Sequence, residues 1–188
     1  MLKELKKSIV GGFLIGLSGY ISLMCDNKYI ASILFCIGLY IICTYQLNLY
    51  TGAIGYLKIP FDKKYIDKLL VTLIGNVIGC YIAAMFPITA SAQENLNNIM
   101  LQKDITTAFH EAFLCGCLMF LAVNTYKIHK TSIAIFLCVP AFILSGMEHS
   151  IANTYYLLLS NSPEFIPYII ICILGNSIGA ICMRKLIS

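Results

Sequence analysis

Six stretches of this chain are apolar for long enough to cross a lipid bilayer: residues 8–24, 29–57, 65–88, 105–126, 131–159 and 165–187. A hydrocarbon core about 30 Å thick asks for roughly 20 such residues in helical form. Inside it, every backbone N–H and C=O must find its partner within the protein. The six stretches take up about three quarters of the 188 residues and the connections between them are short, so no separate soluble domain is expected on either side. Only 12% of the residues are charged and 59% are hydrophobic, with a mean hydropathy of +0.83. A soluble domain carries about twice that share of charge. The composition therefore disfavours a soluble enzyme, a nucleic-acid binder and a disordered chain. It points to an all-α membrane protein with six transmembrane helices, a single domain over residues 1–188.

The few charges set an orientation. Placing the N-terminus inside puts Lys3, Lys6, Lys7, Lys58, Lys63, Lys64, Lys68, Lys127, Lys130, Arg184 and Lys185 on the inner side, against Lys28 and Lys103 outside. Basic residues collect on the cytoplasmic face, so both termini are expected there. The net charge of +4 is a topology signal and gives no reason to expect a nucleic-acid partner. Lys3, Lys6 and Lys7 ahead of the first span imitate a secretory signal, but no small-x-small cleavage site follows, so that segment is expected to stay as a span. The nine cysteines lie scattered in apolar segments without ligand spacing. They are expected to pack as small polarizable residues, with no metal and no cofactor.

The chain repeats itself at an offset of 100 residues. Gly75-Asn76-Val77-Ile78-Gly79 matches Gly175-Asn176-Ser177-Ile178-Gly179, and Phe13-Leu14-Ile15-Gly16 matches Phe113-Leu114-Cys115-Gly116. Each half, approximately residues 1–90 and 104–188, then holds three spans. An odd number of spans forces the halves into opposite orientations, an inverted repeat with its functional path at the interface. The paired glycines suit close helix packing, and Asn76 and Asn176 are expected to hydrogen-bond between helices.

The second and fifth spans are each nearly 30 residues long and carry a polar, glycine-bearing patch. These are Gln46-Leu47-Asn48-Leu49-Tyr50-Thr51-Gly52 and Ser145-Gly146-Met147-Glu148-His149-Ser150-Ile151-Ala152-Asn153. That length fits two half-helices around a loop, an arrangement tolerated at membrane depth only where it is buried or lines a cavity. Glu148 and His149 sit in the middle of the fifth segment, where ionisable residues are costly and by default functional. Histidine is also the side chain best suited to proton exchange near neutral pH. His110-Glu111 is not part of a metal motif of the H-E-x-x-H type, because position 114 is leucine.

These patches resemble the motifs of the formate/nitrite transporter family of anion channels. Gly146–Asn153 resembles its G-F-E-H-S-[IV]-A-N motif, and Asn48-Leu49-Tyr50-Thr51-Gly52 its E-L-F-T-G motif. The two G-N-x-[IL]-G segments and Phe109-x-Glu111-Ala112 agree as well. The resemblance implies an aquaporin-like fold with broken second and fifth helices, assembled as a homopentamer in the bacterial cytoplasmic (inner) membrane. It implies a path for small monovalent anions or their conjugate weak acids (formate, nitrite or hydrosulfide), with protons as co-partners.

By the same resemblance, His149 would be the central pore histidine and Thr51 would face it, with Glu148 or Asn153 orienting the ring. Leu49 and Tyr50 would narrow the cytoplasmic side, and Phe35, Leu39 and Phe142 the periplasmic side. Val123 would line the pore and Lys103 the outer entrance. Three positions depart from the pattern: Asn48 replaces an acid, Phe120 an asparagine that Asn124 could stand in for, and Lys103 is one residue out of register. An aquaporin-like pore for small neutral solutes is the alternative function.

Overall fold

The structure, a computed structural model, describes the backbone of residues 1–58, 60–101, 104–163 and 166–187 and has no strand among them. In order, the helices are α1 (Leu2–Leu23), α2 (Lys28–Leu34), α3 (Cys36–Thr44), α4 (Tyr50–Ala53, continued by a 3-10 turn at Ile54–Tyr56), α5 (Lys63–Ala84), α6 (Ala90–Leu101), α7 (Ile105–His129), α8 (Ile133–Leu144), α9 (Ser150–Ser160) and α10 (Ile166–Ile187). Helices α5, α7 and α10 are each long and apolar enough to cross a membrane unaided. At 1.5 Å per residue, 22 residues cover roughly 33 Å. Helix α1 is also 22 residues long, but its first turns carry Lys3, Glu4, Lys6 and Lys7.

Two apolar helical stretches stop short, at matching places. Helix α3 ends before residues 45–49, and α8 ends before residues 145–149. Both use the same C-terminal device. Leu47 N–H reaches back to the Ile42 carbonyl (2.9 Å) and Gln46 N–H to Cys43 (3.3 Å). Met147 N–H likewise reaches Phe142 (3.0 Å) and Gly146 N–H reaches Ile143 (3.2 Å). This is the Schellman motif, which satisfies the last carbonyls of a helix and demands a left-handed residue. Gly146 supplies it with φ +69°, whereas Gln46 adopts φ 52° with a side chain attached.

The backbone groups freed by each break are gathered by one asparagine. The amide oxygen of Asn76 accepts from Tyr50 N–H (2.8 Å), and its NH2 donates to the Asn48 carbonyl (3.0 Å) and to the Ser8 carbonyl of α1 (2.7 Å). Asn176 does the same with Ser150 N–H, the Glu148 carbonyl and the Ala112 carbonyl of α7, each at 2.8 Å. Both asparagines are completely buried. Reaching those carbonyls requires α1 against α5 and α7 against α10 at backbone contact. A side chain at Gly12 would collide with the backbone of Asn76, and one at Gly116 with the backbone of Asn176.

These contacts shift part of the sequence match. The offset of 100 holds for the breaks and for α5 against α10. Between α1 and α7 it is 104, because Gly12 corresponds to Gly116 and Ser8 to Ala112. The Phe-Leu-x-Gly match selects Gly16 instead, one turn further along the same packed face. Gly16 lies against Ala83 and Tyr155.

A second difference lies between the third and fourth apolar stretches, where the sequence suggests a plain connection over residues 93–104 but residues 90–101 are helical. They form α6, with Ala92 and Leu96 buried and α9 as a packing partner. Asp104 then caps α7. Its bonds from the Thr106 hydroxyl and amide, and from Thr107, hold its carboxyl below the ordinary range.

The strained turn carries a prediction. A left-handed side-chain residue costs about 1–2 kcal/mol, and glycine gives back part of that through its unfolded-state entropy. Gln46→Gly is therefore expected to raise the stability of the solubilised protein by up to about 1 kcal/mol, read as a higher thermal midpoint. An unchanged or lower midpoint would show that Gln46 is not strained.

Candidate functional site

The two breaks bring Thr51 and His149 together. His149 closes the second break in extended conformation (φ −100°, ψ 111°) and becomes the N-cap of α9, its Nδ1 accepting from Ala152 N–H at 3.1 Å. A ring nitrogen that accepts carries no proton, so a neutral imidazole here has its proton on Nε2. Nε2 lies 2.9 Å from Oγ1 of Thr51 in α4. With Nε2–H donating, the Thr51 hydroxyl keeps its own hydrogen for another acceptor. Both side chains are buried. Phe142 stacks on the imidazole at 5.7 Å and 24°, and Phe35 meets Phe142 edge-on at 5.9 Å. Leu39 is buried in the same apolar cluster.

Beyond Leu49 the interior opens. A cavity of about 730 Å³ is lined by Leu49, Gly52 and Val123 together with Lys7, Lys68, Lys127 and Lys130. Glu4 is the one carboxylate among its lining residues. Lys7 Nζ donates to the Gln46 carbonyl (3.1 Å), Lys68 pairs with Glu4 (3.2 Å), and Lys127 sits 3.8 Å over the Tyr56 ring. The balance is positive, and low-dielectric walls focus such a field toward an incoming anion.

Other residues of the motifs go elsewhere. The Tyr50 hydroxyl meets Ser177 Oγ at 2.9 Å, and its ring borders a separate apolar recess of about 250 Å³ with Ile54 and Leu57. The backbone turns from extended at Leu49 into helix at Tyr50, which sends the two side chains different ways. Asn153 donates to Glu148 and to Cys172 Sγ (3.6 Å). Asn124 accepts from the Tyr56 hydroxyl at 2.9 Å, while Phe120 packs on the Tyr56 ring at 5.4 Å. Lys103 lies outside the described residues. Among the described residues no three His, Cys, Asp or Glu side chains are grouped for a metal. The basic cavity itself was not foreseen from the sequence, where its lysines served only to orient the chain. Their expected place together on the inner side, read from the basic-residue asymmetry, is the signal that could have found it.

A family model described as "Formate/nitrite transporter" matches residues 1–188. The chain belongs to the formate/nitrite transporter family. As such it is a multi-pass membrane protein of a transporter family. A solved structure described as "Pentameric formate channel with formate bound" is similar at a TM-score of 0.78 with 18% identity, over 99% of this chain and 93% of that one. An "FNT family ion channel" is similar at 0.77 with 22% identity, over 99% and 87%. Both structures are channels, and at these identities they show a shared fold. No curated protein matches the chain in sequence.

The Thr51 contact is testable through stability. Thr51→Val removes the acceptor of a buried ring N–H, at a cost of about 1–3 kcal/mol, whereas Thr51→Ser keeps it. Thermal unfolding is expected to separate the two variants, with valine lower. Equal midpoints would mean that Nε2–H is not directed at Thr51.

Proposed function

We propose that the protein is a channel or channel-like transporter for small monovalent anions or their conjugate weak acids, with formate, nitrite and hydrosulfide as the candidates. The observation that carries this reading is the Thr51–His149 contact at 2.9 Å, with Phe142 stacked on the imidazole and a basic cavity lined by Leu49 and Gly52, near Thr51 in the chain. A cation-lined cavity attracts an anion and does not favour a neutral solute, which weighs against an aquaporin-like pore. In this reading the halves are inverted three-helix repeats, the second and fifth helices are the broken ones, and both termini face the cytoplasm of a bacterium. The protomers form a homopentamer. Large apolar side chains such as Leu70, Ile74 and Leu137 stand exposed on the single chain, to be covered by lipid or by neighbouring copies.

The mechanism follows from solvation. An anion drawn to the lysines sheds water as it passes Leu49 and Val123, and the Thr51 hydroxyl offers a hydrogen in return. Removing a charge from water is costly, and burial favours the uncharged form. A hydronium ion entering the cavity gives its proton to the anion and is left as water, and the neutral acid crosses the Phe142–Phe35 contact. His149 holds Thr51 in its donating orientation. A second proton on its Nδ1 requires release of the Ala152 cap, which ties proton exchange to movement of the α9 start.

Proteoliposomes containing the protein are expected to take up at least one of formate, nitrite and hydrosulfide faster than empty vesicles, with a rate that depends on pH between 5 and 8. His149→Phe, which leaves Thr51 without the donor that orients it, is expected to abolish or strongly alter uptake at neutral pH while the oligomer stays intact by size. Unchanged flux of all three anions would sink the substrate class. Flux of water or glycerol with no pH dependence would favour the neutral-solute pore.

A further inference from the structure

The resembling motif places an acid at position 48, and this chain has an amide there. The amide is not idle. Asn48 Nδ2 donates to Glu4 Oε2 at 2.9 Å, and Lys68 Nζ lies 3.2 Å from that same oxygen. A carboxylate from the first turn of α1 has thus entered the basic cavity and docked between an amide and an ammonium group. Asn48 is fixed there by its neighbours, since its own carbonyl is held by Asn76. Lys68 projects from α5 and Asn48 from the break, so the two donors sit on separate elements tied together by Asn76 of α5, which binds the Asn48 carbonyl.

We infer that Asn48 and Lys68 form an anion-recruiting site at the inner mouth of the path, which the chain occupies with its own Glu4 carboxylate until a small anion displaces it. Three observations support it. The pair presents one N–H donor and one cation, a set complementary to a carboxylate, nitrite or hydrosulfide. Both residues line the cavity that Leu49 and Gly52, the neighbours of Tyr50 and Thr51 in the chain, also line. The docked carboxylate is held by half-exposed side chains, with Glu4 34% and Lys68 44% exposed, and ion pairs of that exposure are weak. A dissolved anion can therefore exchange with it. Glu4 then acts as a tethered competitor, which keeps the site filled when the anion is scarce and releases it when the anion is abundant. The inference rests on the anion-channel reading above.

The test removes the competitor and each receptor group in turn. Glu4→Gln and Glu4→Ala are expected to lower the half-saturating formate concentration for flux from the inner face by about two- to fivefold, with the maximal rate within twofold. Lys68→Gln is expected to raise it by a similar factor. In parallel, formate raises the melting midpoint of the purified protein by mass action, and the concentration needed should rise in the order Glu4→Gln, wild type, Lys68→Gln. A structural brace would instead change the maximal rate or the ligand-free midpoint and leave half-saturation alone, which overturns the proposal. A wild type without formate flux that still shows this binding order keeps the site and refutes the transport reading. Absence of the order in both measurements refutes the site.

Discussion

A helix broken inside a bilayer leaves backbone N–H and C=O groups with no water to satisfy them, and this constraint organises the molecule. Asn76 and Asn176 each bind both sides of one break with a single amide, using the oxygen for an N–H and the nitrogen for a carbonyl. The remaining hydrogen of each NH2 ties the break to a third helix, at Ser8 or Ala112. Because those ties need backbone contact, Gly12 and Gly116 are fixed as glycine. The packing of α1 on α5 and of α7 on α10 is in this sense a consequence of repairing the breaks.

The chemistry descends from the same geometry. A break that ends in extended backbone places one side chain at the helix start, and in the second half that side chain is His149. Its cap bond to Ala152 assigns the ring proton to Nε2, and the first break sets Thr51 where that proton points. Phe142 stacks on the imidazole, and residues flanking Thr51 in the chain line a cavity with lysines in its wall, two unlike environments, dry and charged. A weak acid and its conjugate base differ in their preference for those environments, which is the physical basis of the transport reading.

Much of this was legible in the residues. A polar patch with glycine inside a long apolar run marks a break wherever it occurs, and the two patches at 46–52 and 145–153 did so. Asn76 and Asn176 stood out because an amide at membrane depth must be spent on something. What it is spent on was not legible, since the backbone partners come from three different elements. The register of α1 against α7 misled because glycines recur at 11, 12, 16 and 19, and only contact distinguishes them. Helix α6 was hidden by its polar sequence; among its described side chains, burial rests on Ala92 and Leu96. The partner of Asn124 was likewise tertiary. Tyr56, far along the chain, claims it and leaves His149 to Thr51 and Ala152.

The tautomer of His149 tests this account most directly. Nitrogen-15 solid-state NMR on the protein in bilayers, with His110 and His129 replaced by glutamine to isolate the signal, reads each ring nitrogen separately. Near neutral pH, Nδ1 is expected to carry no proton and to accept a hydrogen bond, with the proton bonded to Nε2 and disturbed by Thr51→Val. A proton on Nδ1, alone or together with Nε2, would contradict the cap bond and with it the geometry from which the transport reading is built.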